Sequence, residues 1–238
     1  VDGVGSVSLD LPAGTRAAQL SLRLTSGAGI VGPFVGYYAS VENTQRTKGC
    51  AVHTLYGKGG QSARDMAFAL ASASDQTLSL FLNTAVSRQG GPPVALVRVC
   101  SGLNDRSEPL ASVGTEPQTP GSAPTAHADN LGAIITRIQQ IWVLNGYDIH
   151  NIYFELITSH PVPGDGDAPL ALYRAAAEDV AKNHPRTASV DLSRLAPRAE
   201  IEKNDWYVTQ GDYNHLRLDG MRVLARRELD ALLEAAKP

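Results

Sequence analysis

Val94-Ala95-Leu96-Val97-Arg98-Val99 is an apolar, largely β-branched run, and Gly102-Leu103-Asn104-Asp105 follows it closely. Such a run reads as a strand covered on both faces, because strands of that kind lose the alternation of apolar and polar residues. Its neighbours decide the sheet. Upstream, Ala51 to Tyr56 is a short strand that leads through Gly57-Lys58-Gly59-Gly60 into a helix from Ala63 to about Ala73. Asp75 is placed to cap a further helix with Leu78, Phe81, Leu82 and Val86 on one face. Downstream, residues 106–128 are rich in Ser, Thr, Pro, Gly and Ala without a period, and read as one long loop. Asp129 or Asn130 then caps a helix carrying Leu131, Ile134, Ile135, Ile138, Ile141 and Trp142, which Asn145-Gly146 ends.

The alternation continues to the end of the chain. Ile152 to Ile157 reads as a strand. Ala168 to about Asn183 reads as a helix with Leu172, Ala176 and Val180 turned inward. Ala188 to Leu192 is a short strand, and Gly220 to about Ala236 is a last helix with Met221, Leu224, Leu229 and Leu232. Strands and helices in this order predict an α/β fold, a parallel sheet with helices on both faces. Sites in such sheets lie beyond the carboxyl ends of the strands, so the residues after Tyr56, Val99, Ile157 and Leu192 are the ones to inspect.

Residues 1–45 read differently. Ser6 to Leu11 and Gln19 to Leu24 alternate with period two around the turn Pro12-Ala13-Gly14, and Ile30 to Ala39 is irregular. The expected organisation is a β-rich segment over 1–45 and an α/β domain over 46–238. A β unit of that size rarely stands alone.

Composition excludes several classes. Among 238 residues, 21 Lys and Arg against 24 Asp and Glu give a net charge of -3, which supplies no basic footprint for nucleic acid. No apolar run reaches about 18 residues, so no membrane span is expected. Two cysteines make neither a disulfide framework nor a four-Cys zinc site. Cys50 and Cys100 fall at opposite ends of parallel strands, an offset of roughly 20 Å at about 3.3 Å per residue, so both are expected to be free, buried thiols. The chain opens on Val1 with no signal-like apolar stretch, and is expected to be processed or truncated. That leaves its compartment, secreted or periplasmic included, and its oligomeric state open.

Three segments fall at the expected edge: Gly60-Gln61-Ser62, Gly102-Leu103-Asn104-Asp105 and Asp212-Tyr213-Asn214-His215. An Asp three residues before a His can hold the imidazole through one nitrogen and leave the other as a base for a hydroxyl. A Ser at a helix start lies beside oriented backbone donors, and an Asn amide can add a further donor to a developing oxyanion. Together they form an apparatus for acyl transfer.

In this order the three segments resemble the SGNH (GDSL-like) hydrolase superfamily of esterases, lipases and carbohydrate deacetylases, over about residues 46–238. The resemblance implies a flavodoxin-like three-layer α/β/α fold, preceded here by what would be the last strands of a jelly-roll module. It implies that Asn104 and Gly60 form the oxyanion hole and that Asp212 and His215 complete a catalytic triad. Gly-Asp-Ser, the family's usual nucleophile block, is not in this chain. Ser62, in a Gly-Gln-Ser variant, and Ser40, after the 30–39 run, therefore compete as nucleophile. Only nine residues, Val41 to Gly49, would separate Ser40 from the next strand, short for a parallel crossover. Arg64 stands where an α/β-hydrolase elbow needs Gly.

His160 and Trp206 are further candidates for binding substrate, with Asp191 and Tyr207 beside them. His53, His127, His150 and His184 form no metal-ligand spacing, and neither metal nor cofactor is expected. The expected substrate is a small-molecule or carbohydrate ester, cleaved at a short acyl group such as acetyl. The 106–128 loop is expected to border it. A non-catalytic carbohydrate-binding or scaffold protein on the same fold is the alternative.

Overall fold

The computed structural model describes residues 62–86, 92–105, 123–163, 167–208 and 215–235. All belong to one compact unit, Lys58–Pro238. The expected N-terminal β segment and the strand at 51–56 lie outside the described residues, as do Ser40, His53, Gly60, Asp212, Cys50 and residues 106–122.

The architecture is parallel α/β. In chain order the elements are α1 (Ala63–Ser72), α2 (Asp75–Val86), β1 (Ala95–Ser101), α3 (Ala123–Leu144), β2 (Ile152–Thr158), α4 (Asp167–Asn183), β3 (Thr187–Asp191), α5 (Leu192–Leu195), α6 (Arg198–Lys203) and α7 (Leu218–Ala235). Among the described residues the sheet has the order β1-β2-β3, every pair parallel. Ser101 pairs with Thr158 and Thr158 with Asp191, so the carboxyl ends of all three strands are level. No helix of the described residues is long and apolar enough to cross a membrane.

β2 is enclosed on both faces except at Tyr153. α3 carries the stripe read from the sequence, with Leu131, Ile134, Ile135, Ile138, Ile141 and Trp142 all buried. Each such side chain contributes about 1.5–3 kcal/mol on burial. α3 also holds α1 and α2 through Arg137, which donates to the Leu70 and Ala73 carbonyls and pairs with Asp75 at 2.8 Å. α7 meets the sheet at Arg98. Arg98 bridges Glu155 of β2, at 2.5 Å, and Glu228 of α7. α7 closes a second core of Ala196, Ile201, Tyr207, Leu216 and Leu224, with Leu192, Leu195 and Trp206 packed against it.

Several expectations need correction. β1 is covered on one face only: Val99 is buried, whereas Leu96 and Cys100 are exposed. Apolar content signals a strand but not which of its faces is covered. α3 starts at Ala123, not after Asp129, because Pro124 is tolerated in a first helical turn and Ala126 and Ala128 favour helix. Ser74, not Asp75, caps α2, its Oγ accepting from Thr77 N at 3.1 Å. α4 buries Leu170, Tyr173, Arg174, Ala177 and Val180, leaving Leu172 exposed. The true stripe there begins two residues earlier and includes an Arg that hydropathy discards. On α7, Met221 and Leu229 are exposed while Leu224 is buried. Leu192 begins α5 and does not extend β3, because the Asp191 side chain caps the new helix at Ser193 N.

Candidate active site

The level strand ends bring the loops after β1 and β2 to one edge. β1 leads into Gly102-Leu103-Asn104-Asp105, and β2 into Ser159-His160-Pro161. Gly102 turns the chain at φ +107°, a conformation that favours glycine. Its N–H donates to Asp105 Oδ2 at 2.8 Å. Asp105 Oδ1 accepts from Ala63 N at 3.0 Å, and His127 Nδ1 lies 2.8 Å from the same oxygen. One enclosed carboxylate therefore joins the turn that bears Asn104, the start of the helix that follows Ser62, and α3.

α4 stabilises the same edge with two consecutive residues. Tyr173 donates its hydroxyl to the Asp105 carbonyl at 3.4 Å and meets the His127 ring edge-on, with centroids 5.2 Å apart. Arg174 Nε donates to the Ser159 carbonyl at 3.2 Å, while its terminal nitrogen pairs with Asp167 at 2.5 Å. Asp191, the last residue of β3, lies 3.7 Å from Arg174 Nε and caps α5. Asp191 is thereby a structural carboxylate.

Burial by itself would push the Asp105 carboxyl up. The hydrogen bond and charge of His127, with the N–H groups of Gly102 and Ala63, outweigh it and hold the group below the usual carboxylate range.

Ser62 is 0% exposed and is the N-cap of α1. Its Oγ accepts from Asp65 N and donates to Asp65 Oδ2, both at 3.2 Å, and its own N–H donates to that Oδ2 at 3.2 Å. The backbone donors of Ser62 and Ala63 are thus spent on Asp65 and Asp105. Of the N–H groups expected around Gly60 and Ser62 to serve an oxyanion, the two described ones are engaged elsewhere. Asn104 lies half-buried in the turn beyond β1.

His215 stands on the return strand of a small antiparallel bridge, Tyr207 to Leu216, and its carbonyl accepts from Val208 N at 2.9 Å. Its side chain is on the exposed side. Asp212 and Gly60 lie outside the described residues. The described geometry therefore unites the Ser62 and Asn104 segments through Asp105, and sets His215 on the hairpin that leads into α7.

His160 is half-buried at the edge beyond β2, next to the Ser159 carbonyl held by Arg174. Trp206 is half-buried against the α7 core. Tyr207 is buried and donates its hydroxyl to the Pro161 carbonyl at 2.8 Å. The site residue missed in the sequence is His127, 3% exposed on α3. It precedes Leu131 by four residues and so extends the buried stripe by one turn, a signal that was legible once the helix was known to begin at Ala123. Among the described residues no cluster of three or more His, Cys, Asp or Glu could hold a metal.

No protein-family model and no curated protein matches this sequence.

Proposed function

We propose that the protein is a serine ester hydrolase of SGNH type, acting on short acyl esters, acetylated carbohydrates foremost. The observation that carries this reading is the Asp105 carboxylate. It ties the start of α1, next to Ser62, to the Gly-Leu-Asn-Asp turn at the level carboxyl ends of parallel strands. His215 removes the proton of the attacking serine hydroxyl, and Asp212 orients the imidazole and stabilises its cation. The oxyanion takes hydrogen bonds from the Asn104 amide and the Gly60 N–H. Water then attacks the acyl-enzyme with His215 again as base. The chemistry calls for neither metal nor cofactor. His160 and Trp206 border the acyl or sugar group.

Ser62 is the nucleophile of this reading, and it must leave its capping box to attack. A second assignment makes Ser40 the nucleophile and Gly60 the glycine of the oxyanion hole. Its support is the full enclosure of Ser62 and the double use of its Oγ by Asp65.

Hydrolysis of aryl acetates and acetylated xylooligosaccharides by wild type, Ser62→Ala, Ser40→Ala, His215→Ala and Asn104→Ala tests the proposal. Loss of about 10²-fold or more is expected for Asn104→Ala, and near-complete loss for His215→Ala and for one of the two serine variants. Wild type inactive on every ester, yet binding the sugars, would sink the hydrolase reading in favour of a carbohydrate-binding protein.

A further inference from the structure

We infer that His127 is a positioning residue of this site: through Asp105 it fixes the start of α1, which follows Ser62, against the turn that carries Asn104. The inference rests on the hydrolase reading above. Position 127 lies on the apolar face of α3, one turn before Leu131, where an aliphatic side chain would satisfy packing. An enclosed imidazole costs desolvation unless it is bonded, and this one is bonded at Nδ1 to the Asp105 carboxylate. Its ring is held edge-on by Tyr173, which also donates to the Asp105 carbonyl. Asp105 is therefore pinned at its carboxylate from α3 and at its carbonyl from α4, and the carboxylate spends its remaining capacity on Ala63 N and Gly102 N.

Those two N–H groups are the first of α1 and the first of the turn after β1. If Asp105 rotates or takes up a proton, the two segments lose their shared acceptor and the oxyanion donors drift relative to the nucleophile. A displacement of about 1 Å in such a constellation costs up to about 10²-fold in rate. The groups bonded to the carboxylate are His127 from α3, the Ala63 N–H from α1 and the Gly102 N–H, with Tyr173 of α4 on the Asp105 carbonyl and the Ser62–Asp65 pair adjoining.

His127→Leu, His127→Asn and His127→Gln test this. Asn places a donor where Nδ1 stands, Gln places one where Nε2 stands, and Leu places none. Rates are to be taken per active site, counted by titration with a fluorophosphonate. His127→Leu is expected to lose about tenfold or more in kcat with KM within about twofold. His127→Asn should recover kcat to within about threefold, and His127→Gln should not. A purely structural role would lower Tm without lowering kcat per active site, and that result, or equal kcat for Asn and Gln, would overturn the inference. If His127→Leu does not fold, the Asn and Gln pair decides alone. A wild type inactive on every ester instead overturns the hydrolase reading, and the inference with it.

Discussion

Ser62 and Asp65 close a reciprocal capping box at the start of α1: the Ser62 hydroxyl accepts from Asp65 N, and the Asp65 carboxylate accepts from Ser62 N. The box satisfies backbone donors that a helix start otherwise leaves open, and puts a negative charge where the helix dipole favours one. Ser62→Ala should therefore lose about 1 kcal/mol of stability, and Ser62→Gly only a few tenths. Asp65→Ala should cost a similar amount to Ser62→Ala and leave the Ser62 hydroxyl in place. Urea melts of the three variants check the order. Equal melts for wild type and Asp65→Ala would show that the box contributes nothing.

How much of this was legible in the sequence follows from where each signal arises. The 3.6-residue stripe of α3 is strong because burial against a neighbour selects one residue type at each inward position. The parallel order was legible for the same reason, since strands and helices alternate along the chain. Polar contacts between distant segments leave no such trace. Asp105 meets Ala63 across 42 positions and His127 across 22, and nothing in the local sequence announces either partner. His127 was hidden further by its type: a single polar residue on an apolar face interrupts the pattern that would reveal the face. The short helices α5 and α6 were missed because four and six residues carry too little periodicity to be read. Their places are set instead by tertiary contacts, with Arg227 of α7 bonded to the Leu195 carbonyl and, twice, to Glu200.

Gly220 of α7 is packed against Trp206 so closely that a Cβ would lie 2.7 Å from Trp206 Cβ and 3.0 Å from its Cγ. The indole cannot swing aside cheaply, because the backbone of Trp206 is bonded on both sides, its N–H to Ile201 O and its carbonyl to Arg217 N. An Ala in a helix interior normally gains about 1 kcal/mol over Gly. Here the overlap should outweigh that gain, and Gly220→Ala should be destabilised by about 1–3 kcal/mol. A denaturant midpoint at or above that of wild type would show that α7 can shift away from Trp206. The same shift would move His215, so hydrolysis by the folded variant reports whether α7 positions the base.

Tyr207 links that hairpin to the loop after β2 through its hydroxyl on the Pro161 carbonyl. Burial, with Glu202 adding to it, pushes the Tyr207 phenol up to about 12. The folded state thus favours the neutral, donating form. Its contribution should be complete below about pH 10, the ordinary tyrosine value, and be lost as pH rises through about 12. Tyr207→Phe leaves a carbonyl without its donor and should cost about 1–3 kcal/mol at neutral pH. The gap between the two melts should close in strong base. In an ultraviolet titration, wild type should show one late tyrosine that the variant lacks, and identical titration curves would contradict the assignment.

Asp105 gives the opposite pH dependence. Its carboxyl is held below the usual carboxylate range in the folded chain, so the fold favours the charged form. The stability this supplies is fully present above the unfolded value of about 3.9. It is lost as pH falls from there through the lower folded value. Asp105→Asn removes one acceptor and sets an amide NH₂ against a backbone N–H donor, either that of Gly102 or that of Ala63. The variant should be less stable than wild type by about 1–3 kcal/mol at pH near neutral. That difference should hold constant down to about pH 5 and narrow below about pH 4, where the wild-type carboxylate begins to protonate on unfolding. Paired thermal melts across this range measure it. A gap that stays constant at the most acid pH where both proteins fold would mean that the shape of the side chain, and not its charge, holds α1 to the turn after β1.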